Sequence, residues 1–168
     1  MIVERARTDK ATASTEGADL IIERVFDAPR ELVWSVMNDP SRVSDWWGPN
    51  GYTTTVETMD VRPGGSWRFI NHAPDGSDHP FKGEYREVVP NGRIIYTFVY
   101  DVEGIRDFPA TVTATFESLD GGRSKLSSRT NFGSAETLEM ALGSGMIEGG
   151  LETWDRFELI LQEELAGR

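Results

Sequence analysis

Two histidines, His72 and His79, are the side chains of this sequence best suited to metal or acid–base chemistry, and they flank a short turn. Asp75 and Asp78 lie in the same stretch, so two imidazoles and two carboxylates would meet near the open end of a hairpin. Such a set could ligate zinc or a similar ion. The spacing matches no established ligand motif, however, and a polar hairpin tip accumulates the same residue types. We therefore predict no metal site and no cofactor.

Nucleophilic catalysis has few candidates. The chain contains no cysteine, which excludes a thiolate nucleophile, a disulfide and a cysteine metal site. The segment Gly143-Ser144-Gly145 lacks the flanking spacing of a hydrolase nucleophile elbow. Tyr85, which strand alternation places inside the fold, could donate to a ligand carbonyl or act as an acid. The other polar candidates are Tyr96, Arg68, Arg129 and Glu148.

Aromatic residues give the strongest signal for binding, and Trp46 and Trp47 are its sharpest part. The pair follows a short predicted helix, where it would either cap the mouth of a cavity or plug the open end of a sheet. Strand alternation places further aromatic side chains on the inner face, and apolar walls with a few polar anchors are typical of small-molecule pockets. The same side chains could instead interdigitate as ordinary core. The predicted ligand-binding residues are Trp46, Trp47, Trp67, Phe69, Phe81, Tyr85, Tyr96, Phe116, Met146, Gly150 and Trp154.

The elements that must position these residues form a mixed α+β pattern. Residues 18–26 are typical of a strand, and two short helices follow, with Asp27 as the predicted N-cap of the first. From residue 52 to residue 132, frequent turn signals separate six consecutive strands. Residues 135–165 are helical in pattern, with an apolar stripe and a break after the first turns. About seven antiparallel strands that curl around this helix would bury its stripe.

Glycines at the start of the last helix are unusual. Gly143 and Gly145 lie near the break, and Gly149 and Gly150 lie inside the helix. A glycine inside a helix costs about 0.5–1 kcal/mol relative to alanine, so the adjacent pair needs a reason. Close approach of the helix to a strand is one reason, and space for a ligand is another.

Charge and composition restrict the partners. The chain has 28 acidic and 17 basic residues, a formal net charge of −11 at pH 7, which repels nucleic acids and anionic lipid surfaces. No apolar run approaches the ~20 residues that cross a bilayer, and the N-terminus lacks a secretory apolar segment. We expect a cytoplasmic protein without nucleic-acid or membrane partners. The polar, aperiodic residues 1–17 are expected to form a flexible tail before a single domain over residues 18–168.

Several short motifs, taken together, resemble a known superfamily. They are Phe26-Asp27-Ala28-Pro29, Asp45-Trp46-Trp47-Gly48-Pro49, residues 59–68, Phe81-Lys82-Gly83-Glu84-Tyr85, residues 145–150 and Trp154-Asp155-Arg156-Phe157. In this order they are similar to the SRPBCC (START-like, birch-pollen-allergen-like) superfamily, and within it to the branch of activators of the 90-kDa heat-shock chaperone ATPase. The resemblance implies a helix-grip fold of order β-α-α-β6-α, with a hydrophobic pocket between the sheet and the C-terminal helix.

The resemblance implies more than one function. Members of the superfamily include lipid and hormone binders, polyketide aromatases and cyclases, and the chaperone activator. The matching motifs are structural, so no catalytic residue is carried over. We predict binding of a small hydrophobic or aromatic ligand in the pocket. The alternatives are a cyclase, aromatase or hydrolase that uses the same cavity, and an interaction protein that acts on a chaperone. An exposed edge strand in an open sheet would also allow a homodimer.

Overall fold

The computed structural model describes all 168 residues and contains nine β-strands and four α-helices. The strands are β1 (Val3–Arg7), β2 (Ala11–Glu16), β3 (Asp19–Phe26), β4 (Thr53–Met59), β5 (Ser66–His72), β6 (Asp78–Val89), β7 (Arg93–Tyr100), β8 (Ala110–Ser118) and β9 (Ser124–Asn131). The helices are α1 (Arg30–Met37), α2 (Val43–Trp46), α3 (Ala135–Gly143) and α4 (Met146–Ala166). None of these helices combines the length and the apolar character that a membrane crossing requires.

All nine strands form one antiparallel sheet in the order β1-β2-β3-β9-β8-β7-β6-β5-β4. The segment with α1 and α2 carries the chain from β3 to β4, which is the strand at the far edge of the sheet. A curved antiparallel sheet with a C-terminal helix is the helix-grip arrangement, so the predicted fold class is confirmed. The strand count is nine, compared with about seven expected from the sequence.

The two additional strands lie in the segment that we expected to be a flexible tail, and that expectation was wrong. Residues 1–17 contain β1 and β2, and β2 pairs with β3 from Ala11↔Arg24 to Glu16↔Asp19. Ala11, Ala13 and Thr15 are buried while the residues between them are half-exposed. This is the two-residue period of a strand. The strand consists mainly of alanine, serine and threonine, however, and this composition is also typical of polar linkers.

The first helix begins later than the sequence suggested. Its N-cap is Pro29, not Asp27, and no side chain caps the helix. Asp27 instead donates its backbone N–H to Glu158 Oε1 of α4 at 3.2 Å. The apolar face of the helix is buried as its spacing predicts, through Leu32, Val33 and Val36.

Two apolar clusters fill the space between the sheet and the helices. In the larger cluster, Phe157 and Leu161 of α4 are fully buried, and the Phe157 ring lies edge-on to Phe26 of β3 with centroids 5.3 Å apart. The smaller cluster joins β2 and β3 to α3 and the first turn of α4 through Ala13, Leu20, Ile22, Leu138 and Ile147. Helix α4 therefore contributes to both clusters and holds the two halves of the core together.

The predicted break between the last two helices is confirmed. Ser134 caps α3 by accepting the Thr137 N–H at 3.1 Å. Gly145 then adopts a φ of +85°, a left-handed conformation that glycine reaches without a steric penalty. The chain changes direction at this residue and begins α4.

Gly149 and Gly150 inside α4 are not required by close packing. A Cβ atom on Gly149 would lie 3.4 Å from Pro49 Cγ, and one on Gly150 would lie 3.5 Å from Ile22 Cδ1. Both are ordinary contact distances, so alanine at either position should stabilise the fold by about 0.5–1 kcal/mol through its higher helix propensity. Urea unfolding of the two variants measures this. Gly145→Ala should be destabilised because of its positive φ, and a similar loss in Gly150→Ala would contradict the packing described here.

A buried ion pair joins β3 to α4. Arg24 is 3% exposed, and its guanidinium carbon lies 4.7 Å from the centroid of the Phe26 ring. The guanidinium reaches Asp155 Oδ1 at 3.1 Å and Glu158 Oε1 at 3.6 Å. Glu158, itself 8% exposed, also accepts a hydrogen bond from Gln162 Nε2 at 3.0 Å. These charged groups fix the position of the helix along the sheet.

A second group of charges holds the loop of residues 101–109. Asp101 accepts a hydrogen bond from Arg68 Nη1 at 2.7 Å, and it pairs with Arg106 Nε at 3.1 Å and Lys82 Nζ at 3.7 Å. Arg68 also pairs with Glu57 at 3.0 Å. The hydrogen bond from Arg68 holds the pKa of Asp101 below its usual value.

Acidification should weaken the fold through these carboxyl groups. The pKa values of Asp75 and Glu87 are lowered as well, by hydrogen bonds from a serine and an arginine respectively. A carboxyl with a depressed folded pKa stabilises the protein above its unfolded pKa of about 4, and this stabilisation is lost as the pH falls through the folded pKa. We expect Tm to fall as the pH is lowered below about 5, and to fall less steeply in Asp101→Asn. Asp107→Asn, an exposed position in the same loop, is the control, and equal slopes in all three proteins would contradict the assignment.

Candidate functional site

A cavity of about 60 Å³ lies between the two short helices and strands β4–β7. The sequence predicted a pocket between the sheet and the C-terminal helix. This cavity lies instead against α1 and α2, and α4 contributes no residue to its lining. The lining residues are Met37, Asn38, Val43, Trp46, Trp47, Met59, Trp67, Phe69, Tyr85, Ile94, Tyr96 and Phe98. Eleven of the twelve are hydrophobic, and seven are aromatic.

Trp47 is held in the wall by hydrogen bonds to its own segment. Thr54 Oγ1 donates to the Trp47 carbonyl at 2.6 Å. From α4, Arg156 Nη1 donates to the carbonyls of Gly48 and Pro49 at 2.8 and 2.9 Å. Because α2 is only one turn long, its own hydrogen bonds cannot fix the tryptophans. The contacts from β4 and α4 therefore determine the position of this wall.

Trp67 of β5 is held by a hydrogen bond that crosses β6 and reaches β7. Its indole N–H donates to the Thr97 carbonyl at 3.2 Å, while the Glu84 N–H donates to Thr97 Oγ1 at 2.8 Å. Gly83 of β6 is paired with Trp67 in the sheet. It allows the indole of Trp67 to pass over β6. A Cβ atom on Gly83 would lie 1.8 Å from the Thr97 carbonyl oxygen and 2.5 Å from the indole nitrogen. The absence of a side chain here allows the tryptophan to reach over the strand.

Tyr85 is positioned by the glycine turn between β4 and β5. The Gly64 N–H donates to the Tyr85 carbonyl at 2.8 Å, and the Tyr85 N–H donates to the Gly65 carbonyl at 2.9 Å. Gly65 itself lies so close to the chain that a Cβ atom would be 2.0 Å from the Asp60 carbonyl oxygen. The turn therefore needs its two glycines to place a cavity tyrosine.

Tyr85 and Tyr96 supply two phenol groups to the cavity. The residues are paired across β6 and β7, with ring centroids 6.3 Å apart. Burial, reinforced by the negative charges that Tyr96 and Asp60 can carry, raises the pKa of Tyr85 well above its usual value. Burial also raises the pKa of Tyr96 to about 12. With raised pKa values, both phenols are protonated at neutral pH and can donate a hydrogen bond.

Comparison with known proteins places the chain in a family. The family described as "Activator of Hsp90 ATPase homolog 1-like protein" matches residues 27–162, more than half of the chain. The chain belongs to this family. A protein from Arthrobacter aurescens has the same fold, with 23% sequence identity, 90% and 91% of the two chains covered, and a TM-score of 0.83. A protein from Mycobacterium smegmatis is similar at 27% identity, with 88% and 96% covered and a TM-score of 0.77. No protein of curated function matches.

Six of the eleven predicted ligand-binding residues come together around the cavity. They are Trp46, Trp47, Trp67, Phe69, Tyr85 and Tyr96. All six lie in or beside the motifs that resemble the family, or in the strand that follows them. The motifs thus mark the residues that shape this wall.

Two of the other predicted residues lie on the sheet outside the lining. The Phe81 ring is adjacent to the wall, with its centroid 5.3 Å from that of Trp47. Phe116 is buried and packs edge-on against Trp34 of α1, with centroids 5.1 Å apart. Phe116 is therefore part of the core, whereas Phe81 supports the cavity from behind.

The three predicted residues of α4 also lie outside the lining. Trp154 stacks on Trp46 with centroids 5.8 Å apart. Met146 packs against the smaller apolar cluster, and Gly150 faces Ile22 of that cluster. The helix supports the cavity through Trp46 but does not face it.

Six lining residues were not predicted. They are Met37, Asn38, Val43, Met59, Ile94 and Phe98. Ile94 and Phe98 alternate with Tyr96 along β7, so strand periodicity could have identified both. The others belong to the ends of α1, α2 and β4, and their convergence depends on how the short helices dock on the sheet.

The two histidines lie away from the cavity and take different partners. His72 Nδ1 is 2.6 Å from Asp78 Oδ1. His79 lies between Ser77 Oγ at 2.9 Å and the Tyr100 hydroxyl at 2.6 Å. No group of three or more histidine and acidic residues converges with the geometry of a metal site. The hairpin tip is a hydrogen-bonded turn in which the imidazoles act as linkers.

Proposed function

We propose that this protein binds a small apolar or aromatic molecule in the cavity between α1–α2 and strands β4–β7. The observation that carries the proposal is the lining itself, which has eleven hydrophobic side chains, seven of them aromatic, and two free phenol donors. Apolar walls with a small number of placed polar groups are the usual character of ligand pockets. Membership of a family with the helix-grip fold supports it further.

The cavity must widen to admit such a ligand. Its volume of about 60 Å³ is smaller than the roughly 150 Å³ that holds benzene in an engineered core cavity, and far below the ~300 Å³ of a small drug site. Met37 and Met59 line it, and methionine side chains adapt readily because they are unbranched and flexible. Trp47 is only half-buried. These three side chains are the parts of the wall that can move without disturbing the sheet.

Binding is favoured over catalysis by the chemistry of the lining. None of the twelve side chains is a carboxylate, an imidazole, a thiol or an amine, so the cavity offers no base to accept a proton. Tyr85 and Tyr96 are held protonated by burial and have no hydrogen-bonded base to exchange protons with. A cyclase or hydrolase mechanism would need a base brought by the substrate or by water.

Fluorescence titration tests the proposal, because three of the five tryptophans line the cavity. Ethylbenzene and naphthalene should change the emission saturably. Val43→Leu, which adds one methylene group to the wall, should weaken binding. Val99→Leu makes the same change on β7 outside the lining and should leave binding unchanged. Absence of saturation with every probe, or equal affinities in the two variants, would contradict the proposed site.

The family name supports a second candidate, stimulation of a chaperone ATPase. It would act through the protein surface and is independent of the cavity. Adding the protein to the 90-kDa chaperone and measuring ATP hydrolysis tests it, with Val43→Leu as the control. A rate that does not change with protein concentration would eliminate this candidate.

A further inference from the structure

We infer that the cavity selects an uncharged ligand that carries a hydrogen-bond-accepting oxygen, recognised by the hydroxyl groups of Tyr85 and Tyr96. This inference rests on the proposed function and adds the chemical class of the ligand.

The lining offers two hydroxyl groups, those of Tyr85 and Tyr96, that can donate a hydrogen bond to a ligand. The side-chain amide of Asn38 donates to the Trp34 carbonyl at 3.0 Å, and the Trp67 indole donates to the Thr97 carbonyl at 3.2 Å. The hydroxyls of Tyr85 and Tyr96 have no hydrogen-bond partner in the protein, and neither oxygen is among the fully buried atoms that lack one. Water can therefore serve as their partner in the cavity, and a ligand with an accepting oxygen would replace that water.

Trp46 gives an independent indication of the same kind. It is a lining residue and is 3% exposed, and its indole N–H is buried without a hydrogen-bond partner. An indole N–H can only donate. The indole therefore needs an acceptor, and the two phenols can each donate to one.

The lining also excludes charged ligands. It contains no lysine, arginine or histidine, so a carboxylate would be desolvated without a cation to pair with it, which is strongly unfavourable. The nearest charge that acts on Tyr85 is the carboxylate of Asp60, and it would repel an anion further. An organic cation could lie against the aromatic faces, but it would leave the phenol and indole donors without acceptors. A ketone, an ester or a neutral alcohol satisfies all of these conditions.

Four probes of similar size separate these possibilities: acetophenone, ethylbenzene, benzoate and benzylammonium. At pH 7, acetophenone should bind about 5-fold more tightly than ethylbenzene, because one added hydrogen bond contributes that order of affinity. Benzoate and benzylammonium should bind more weakly than either. Tyr85→Phe and Tyr96→Phe should each reduce the preference for acetophenone, and together they should reduce it further, to at most the contribution of the Trp46 indole.

Tyr100→Phe is the matched control. Tyr100 lies on the same strand as Tyr96, but its hydroxyl bonds to His79 and it does not line the cavity, so the preference for acetophenone should persist. Near-ultraviolet circular dichroism of each variant reports its folding. If Tyr85→Phe does not fold, Tyr96→Phe and the four probes on the unaltered protein still decide the question.

Each outcome has a distinct meaning. Equal affinities for acetophenone and ethylbenzene would overturn this inference and leave the proposed function standing. Tightest binding of benzoate or benzylammonium would overturn the selection for an uncharged ligand. Failure of all four probes to bind would overturn the proposed function and this inference with it.

Discussion

Replacement of Gly83 by alanine is expected to destabilise the protein by about 2–6 kcal/mol. The new methyl group would lie 1.8 Å from the Thr97 carbonyl oxygen, a backbone atom, so the strand pair must separate. Overpacking of this kind typically costs about 1–3 kcal/mol. The Trp67 indole would also lose its hydrogen bond to that carbonyl, and an unsatisfied buried donor adds about 1–3 kcal/mol.

Urea unfolding of Gly83→Ala, followed by tryptophan fluorescence, measures this effect. Gly143→Ala is the matched control, because a Cβ atom at Gly143 meets no neighbouring atom within 4 Å and the position should tolerate alanine. Because Trp67 lines the cavity, the emission of folded Gly83→Ala should also shift. A variant with the stability and spectrum of the unaltered protein would show that the crossing of Trp67 over Gly83 is not part of the fold.

The second large loss of stability is expected when one partner of the buried ion pair between Arg24 and Glu158 is removed. Arg24→Ala is expected to destabilise the protein by about 3–5 kcal/mol, because it leaves the buried carboxylate of Glu158 without its cation. Arg24 also covers the face of the Phe26 ring, so the substitution removes packing as well as charge. The substitution weakens the contact between β3 and α4. Helix α4 contributes to both apolar clusters, so the stability of the whole core is affected.

A double-mutant cycle of Arg24→Met, Glu158→Leu and the variant with both substitutions separates the contribution of charge from that of packing. Arg24→Met together with Glu158→Leu removes both charges and keeps apolar volume, so the double variant should be more stable than Arg24→Ala. Arg129→Ala is the control: Arg129 bonds to Glu16 and Asp19 at 2.7 and 2.6 Å but is 46% exposed. Its removal should cost at most about 1 kcal/mol. Similar losses in Arg24→Ala and Arg129→Ala would contradict the role of burial.

Local signals explain why the architecture was predictable. Glycine, proline and asparagine turns separate the strands from residue 52 onward, and the apolar stripe of α4 requires a concave partner. The helix break at Gly145 was also visible, because a glycine-rich stretch interrupts a helical pattern. Each of these features depends on residues that are close together in the sequence.

The cavity was only partly predictable, because its position depends on long-range contacts. Trp46 and Trp47 were identified from their type, and Tyr85 and Tyr96 from strand alternation or proximity to motifs. That α4 would support the wall and not line it depends on the stacking of Trp154 on Trp46. The bond from Arg156 to the carbonyls of Gly48 and Pro49 joins residues more than 100 positions apart. No local pattern reports such contacts.

The N-terminal hairpin protects the border of the sheet. Without β1 and β2, the free edge would be β3, whose side chains include Leu20 and Ile22, and an uncovered apolar edge is a template for pairing with another molecule. The strand that occupies the border instead carries Glu4, Arg5 and Arg7, with Arg7 paired to Glu4 at 2.6 Å. Charged side chains along a terminal strand discourage intermolecular sheet growth. The two strands before β3 thus cover an edge that would otherwise be open to pairing with another molecule, and a chain that began at residue 18 would lose this cover.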